Sequence, residues 1–271
     1  MQDEARDEAV REALARIAER APDVHRRLAP HGGAPTEQLG DAALALVAPT
    51  HQVGEPENVV RWLCDVAVRL SDPASLAACL RGLGEEPRLV MLGALSDVLS
   101  RRPELRSLAP CMIELGDVED ELAVVEVCEF FESTREPSGT ALMSRLMKDH
   151  PSELVRMYAL CALESLGVPV SAFREASADE SSWVREAAME ALVRAGLEEW
   201  PALLPYLLDP TDHIPAIHAA AAIADLVPEA SAELALTHLR ATLADPRTPR
   251  SVLDAVQRAV RLLEALPGAE S

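Results

Sequence analysis

Aromatic residues are scarce in this sequence: three Trp, two Tyr and three Phe among 271 residues. A core with so few rings is filled by Ala, Leu and Val, whose compact side chains suit helices that pack closely. The same scarcity counts against a chain that grips a large flat cofactor such as a tetrapyrrole. Lysine is almost absent. Lys148 is the single example, and arginine supplies the other basic side chains. Against 25 basic residues stand 45 acidic ones, a formal net charge of −20. Such a chain repels a phosphate backbone, so nucleic acid is excluded as a partner. No Cys-x-x-Cys pair occurs. The five cysteines, at 64, 79, 111, 128 and 161, sit among apolar neighbours as small buried hydrophobes of a reducing compartment. The opening MQDEARDEAVREAL is charged and amphipathic, without an apolar signal core or spanning segment. A cytoplasmic location and no membrane span are therefore expected.

The motifs of chemistry are missing too. There is no glycine-rich phosphate loop, no His-Glu-x-x-His and no nucleophile elbow. Seven histidines are dispersed, and only His213 and His218 lie close. Their spacing of five does not place them on one helix face. Acid pairs such as Glu126 and Glu129 read as a solvated helix face. No catalytic, cofactor-binding or metal residue is assigned.

What the sequence does contain is a repeat. An acidic residue ahead of a helix start recurs at Glu55, Glu86, Asp117, Asp149, Asp179, Asp209 and Asp245, spaced by 31, 31, 32, 30, 30 and 36. A second ladder keeps step with it: Pro73, Pro103, Pro137, Pro169, Pro201 and Pro228. Two interleaved ladders at one period mean a two-helix unit, and such units stack into a solenoid. Seven to eight helix pairs and no sheet are expected.

Apolar residues trace one helical stripe in each second helix, at offsets 0, 4, 7, 8 and 11. They are Val155, Ala159, Ala162, Leu163 and Leu166 in one repeat, and Val184, Ala188, Ala191, Leu192 and Ala195 in the next. Stripes starting at Val60, Met91 and Ala123 follow the same rule, the last reaching Phe131. The first helices open near proline, where a missing N–H costs nothing. Pro110 and Pro205 fall deeper, so those two helices kink or restart. Gly84, Gly116, Gly167 and Gly196 stand where left-handed helix caps are wanted. Residues 1–54 read as an N-terminal cap with a degenerate repeat, 55–244 as the repeats, and 245–271 as a C-terminal capping helix and tail.

The segments LVRMYALCALESLG and WVREAAMEALVRAG carry a family resemblance. An acid, then Val-Arg, then Ala at helical spacing, then Ala-Leu and a glycine end, resembles a HEAT or HEAT-like repeat. The match is good for 149–196, fair for 55–135 and weak for 209–265, where Pro215 stands in place of the arginine. The resemblance implies a right-handed α-solenoid of two-helix repeats with a concave face lined by second helices. It also implies that Arg156 and Arg185 engage the ladder acids Asp149, Asp179 and Asp209 at inter-repeat turns; Arg61 matches the same position. Partly exposed pairs of this kind contribute roughly 0–1 kcal/mol each. Some HEAT-like proteins are enzymes, among them alkylpurine DNA glycosylases and bilin lyases. The charge here opposes the first, and the few aromatics count against the second.

Function rests on what the concave face carries. With the stripe buried, offsets +1, +2, +5 and +6 turn toward the groove. They give Trp62, Leu92, Val124, Glu129, Met157, Leu160, Met189 and Glu190 as partner-binding candidates, an apolar strip rimmed with acid. Such a strip suits an amphipathic helix or extended peptide with basic flanks. The expected function is a non-enzymatic scaffold or adaptor for a basic or amphipathic protein, with no cofactor. Acid is concentrated in residues 104–135 and 175–199, which motivates a second reading: an acidic inhibitor or immunity protein that blocks a basic toxin or nuclease. A bilin lyase is the third.

Overall fold

The computed structural model describes residues 2–31, 36–53, 57–207 and 213–265. Among these residues all regular structure is helical, as the double ladder expects. The chain is an α-solenoid in class, and it divides into two compact units, residues 1–143 and 144–271.

In the first unit the order is α1 (Gln2–Arg20), α2 (Pro22–Leu28), α3 (Thr36–Gln52), α4 (Glu57–Leu70), α5 (Pro73–Gly82), α6 (Glu85–Ser96), α7 (Ala109–Leu115) and α8 (Glu121–Thr134). The boundary falls inside α9 (Thr140–Asp149). The second unit continues with α10 (Glu153–Ser165), α11 (Ser171–Ala176), α12 (Ser182–Arg194), α13 (Leu204–Leu207), α14 (His213–Leu226), α15 (Ala232–Ala244) and α16 (Arg250–Glu264). In unit one α4, α6 and α8 lie side by side in sequence, and α1 joins them next to α4. In unit two α10, α12, α14 and α16 form the corresponding row.

Local chemistry explains the punctuation. Asp72 caps α5 by accepting the N–H groups of Ala74 and Ser75, with Pro73 at the first helical position. Asp120 caps α8 in the same way. Ser152 and Ser181 cap α10 and α12. Pro110 and Pro205 lie in first turns: a 3₁₀ segment over Pro103–Leu108 gives way to α7, and one over Trp200–Leu203 gives way to α13. The two helices thus restart at a position where the proline is tolerated.

The glycines divide. Gly167 and Gly196 take the left-handed conformation at φ +69° and +71°, the expected C-terminal caps. Gly84 instead caps the N-terminus of α6 in extended backbone, and Gly116 is right-handed. Gly116 is there for space, since a Cβ would stand 2.6 Å from Leu142 Cδ2. Gly139 serves the same end: its Cβ would meet the Phe131 ring at 2.2 Å. Phe131 in turn packs edge-on against Phe130 at 5.3 Å between ring centres, filling the core of unit one.

The stripe positions Phe131, Val155, Leu163, Val184 and Leu192 are buried. Burial extends further than the stripe, however. A second helix touches its hairpin partner and also the helices beside it in the row, so some positions at offsets +1 and +5, among them Leu92, Val124 and Leu160, join the core.

Candidate partner-binding surface

The best-built feature on the second helices is a clamp around arginine. The N-terminal turn of α10 is closed by Arg156, whose Nη1 donates to the carbonyls of His150 at 2.9 Å and Pro151 at 3.1 Å. Twenty-nine residues later Arg185 does the same, donating to the carbonyls of Asp179 at 2.8 Å and Glu180 at 2.7 Å. The sequence repeats, and so does the bond pattern. Arg156 reaches on into the next repeat, where its Nε and Nη2 each lie 2.9 Å from the Asp179 carboxylate. Burial pushes the Asp179 carboxyl up, but the Arg156 hydrogen bonds, the Ser181 N–H and nearby guanidinium charge outweigh it, and the pKa is lowered.

Of the three ladder acids, Asp179 is the one that meets Arg156, and Asp149 is exposed at the end of α9. Asp209 lies outside the described residues. Arg61 is exposed. In unit one the buried arginine is Arg102, which donates to the carbonyls of Val68 and Ser71 and so closes the C-terminus of α4. Sequence reasoning missed it because its partners are backbone groups some thirty residues away.

The groove candidates separate into two groups. Leu92, Val124 and Leu160 are 2%, 0% and 1% exposed and belong to the core. These three positions are covered by adjacent helices in the row, whereas Met189, also at offset +5, stays half-buried. Trp62, Glu129, Met157, Met189 and Glu190 are half-buried and reach the surface. The apolar strip is therefore narrower than the spacing alone implies.

Acid gathers around these exposed positions in each unit. On α4, α6 and α8, the carboxyl of Asp65 is pushed up by burial and by Asp97, and that of Glu126 by burial, Glu129 and Asp97. A bond of 2.9 Å from Ser96 Oγ holds Glu126. In unit two Glu164 on α10 and Glu190 on α12 share Arg194. Glu186, one turn before Glu190, is 1% exposed, with Oε2 3.5 Å from Nδ1 of His218 on α14. Burial pushes the Glu186 and Glu190 carboxyls up. The Glu186 contact raises the His218 pKa against the effect of burial. The run Glu186, Glu190, Arg194 at spacings of four was the sequence signal for this cluster.

Burial raises the thiol pKa of Cys64, Cys79 and Cys111, the opposite of what a nucleophilic thiolate needs. Among the described residues no group of three or more His, Cys, Asp or Glu could hold a metal ion, and no helix is long and apolar enough to cross a membrane.

Residues 139–224 match the family model described as HEAT repeats. The matched stretch is the one that holds the repeated arginine clamp of α10 and α12. No curated relative matches the sequence. Among solved structures the chain is similar to the complex of CpcE and CpcF of phycocyanin lyase from Nostoc sp. PCC7120. The identity is 16% and the TM-score 0.46, covering 88% of this chain and 93% of that one. It is also similar to YibA of E. coli, at 14% identity and a TM-score of 0.47, covering 91% and 93%. An engineered protein matches at 15% and 0.41, covering 85% and 72%. Likenesses this distant carry no argument about what the chain binds.

Proposed function

We propose that this protein is a non-enzymatic scaffold whose second helices bind a basic or amphipathic protein segment. One observation carries the reading. On α10 and α12, where most apolar side chains are buried, Met157 and Met189 stay partly exposed on the same helices that carry Glu164 and Glu190. Methionine adapts to the shape of a partner, and acid beside it selects positive charge. Trp62 and Glu129 are the candidates in unit one, with Asp65, Asp97 and Glu126 supplying acid. The absence of a nucleophile or metal motif in the sequence supports binding over chemistry.

The acid-rich inhibitor is the second reading, and one feature favours it: Glu119 and Glu121 on the turn into α8 are exposed. Ionic strength separates the two. A plug held by charge loses affinity steeply with salt, whereas a methionine-anchored segment retains most of it. The test of the surface itself is Met157→Glu with Met189→Glu, in protein whose circular dichroism is unchanged. Lost partner binding supports the α10–α12 face. Retained binding moves the interface to the 104–135 band.

A further inference from the structure

One carboxylate on this face has no visible reason to be where it is. Glu186 is 1% exposed, and its Oε1 is buried with no hydrogen-bond partner. A buried unpaired carboxylate oxygen is costly, and native proteins rarely keep one. Packing does not demand it: the position 29 residues earlier is filled by Met157. Charge balance does not explain it either. Glu164, Glu186 and Glu190 bring three carboxylates together, while Arg194 is the one guanidinium among them and already bridges Glu164 at 2.6 Å and Glu190. His218 reaches only Oε2, at 3.5 Å, and is half-exposed itself. The cluster therefore holds an excess of negative charge, and its most deeply placed oxygen faces no donor.

We infer that Glu186, with Glu190 and Glu164, receives one cationic side chain of the partner, the guanidinium of an arginine or the ammonium of a lysine. This rests on the partner-binding reading above and adds to it the group that is recognised. A cation supplies what the site lacks, a donor for Oε1 and a charge to offset the third carboxylate. A metal ion does not suit the site, because no three donors here are arranged to hold one. Because Oε1 is buried, entry of a cation requires the half-exposed His218 imidazole, 3.5 Å from Oε2, to turn aside. Met189, on the same helix as Glu186, would pack against the aliphatic stem of the incoming residue.

The experiment needs no knowledge of the partner. The His218 imidazole resonances of the intact protein are followed by NMR during titration with N-acetyl-arginine amide, N-acetyl-lysine amide and the uncharged isostere N-acetyl-citrulline amide. The expected result is a saturable shift with both cations and none with citrulline. Glu186→Gln weakens the cation response about tenfold or more, as loss of a charged hydrogen bond would. Glu233→Gln on α15, an exposed acid elsewhere in the unit, leaves it unchanged. If Glu186→Gln does not fold, Glu186→Met, with the residue of the preceding repeat, replaces it, and the citrulline comparison needs no variant. An equal response to citrulline, or undiminished binding in the Glu186 variant, overturns the site. That failure is separable from failure of the scaffold reading, which the methionine double substitution tests independently.

Discussion

Arg156 and Asp179 show how burial changes the weight of a contact that the sequence already implies. Pairs at HEAT-like turns were expected to be partly exposed and worth roughly 0–1 kcal/mol. Here the two side chains are 6% and 13% exposed, and Arg156 also binds two backbone carbonyls. Removing one partner leaves a buried charge, so Asp179→Asn should cost on the order of 3 kcal/mol in urea denaturation at neutral pH. Because the folded-state pKa of Asp179 is lowered, the contribution is present above the unfolded carboxylate pKa and is lost as pH falls through the lowered value. The difference between wild type and Asp179→Asn should therefore shrink in acid. Glu186 and His218 work in the opposite direction. Both folded-state values are raised, so their contribution favours the fold at low pH and is lost as pH rises through them. For His218 that window starts near its ordinary value of 6.5 and runs upward. Denaturation midpoints of wild type should fall between slightly acidic and alkaline pH, and His218→Gln should flatten that slope. An unchanged slope would show that the Glu186 contact is not formed in solution.

At the scale of the helix, the stripe was legible and its width was not. Offsets of 0, 4, 7 and 8 find Val155, Leu163, Val184 and Leu192, all at 2% exposure or less. Truncating Leu163 or Leu192 to Ala should cost on the order of 2–5 kcal/mol through lost burial and a residual cavity. Periodicity describes one helix, however, whereas Leu92 and Leu160 are covered by neighbours in the row, which no single-helix pattern encodes. Glu186 was hidden for a related reason, since an acid in an acid-rich stretch reads as solvated until the opposite helix is in place. The glycines make the point in small. Gly167 and Gly196 follow from cap chemistry, but Gly139 depends on the Phe131 ring arriving from another helix. Gly139→Ala should destabilise by about 1–3 kcal/mol through overpacking, measurable as a lower thermal midpoint. A midpoint equal to wild type would mean that the ring moves aside freely.

For the whole molecule, charge and repeat architecture support the proposed binding function without naming the partner. The fold class followed from a period near thirty because each unit must bury its apolar face on the next. The proposed binding face followed only in part. Its acidic residues were evident from composition, but its apolar part is reduced to a few side chains that only packing reveals. A net charge of −20 should speed association with a basic partner, at a rate that falls with ionic strength. The most direct measurement compares the proteins captured from native lysate by wild type and by Met157→Glu with Met189→Glu, matched in circular dichroism and melting temperature. The account predicts that a basic protein held by wild type is lost from the double variant and that purified partner binds it at least tenfold more weakly. Identical captured sets with equal affinities would contradict a binding surface on α10 and α12.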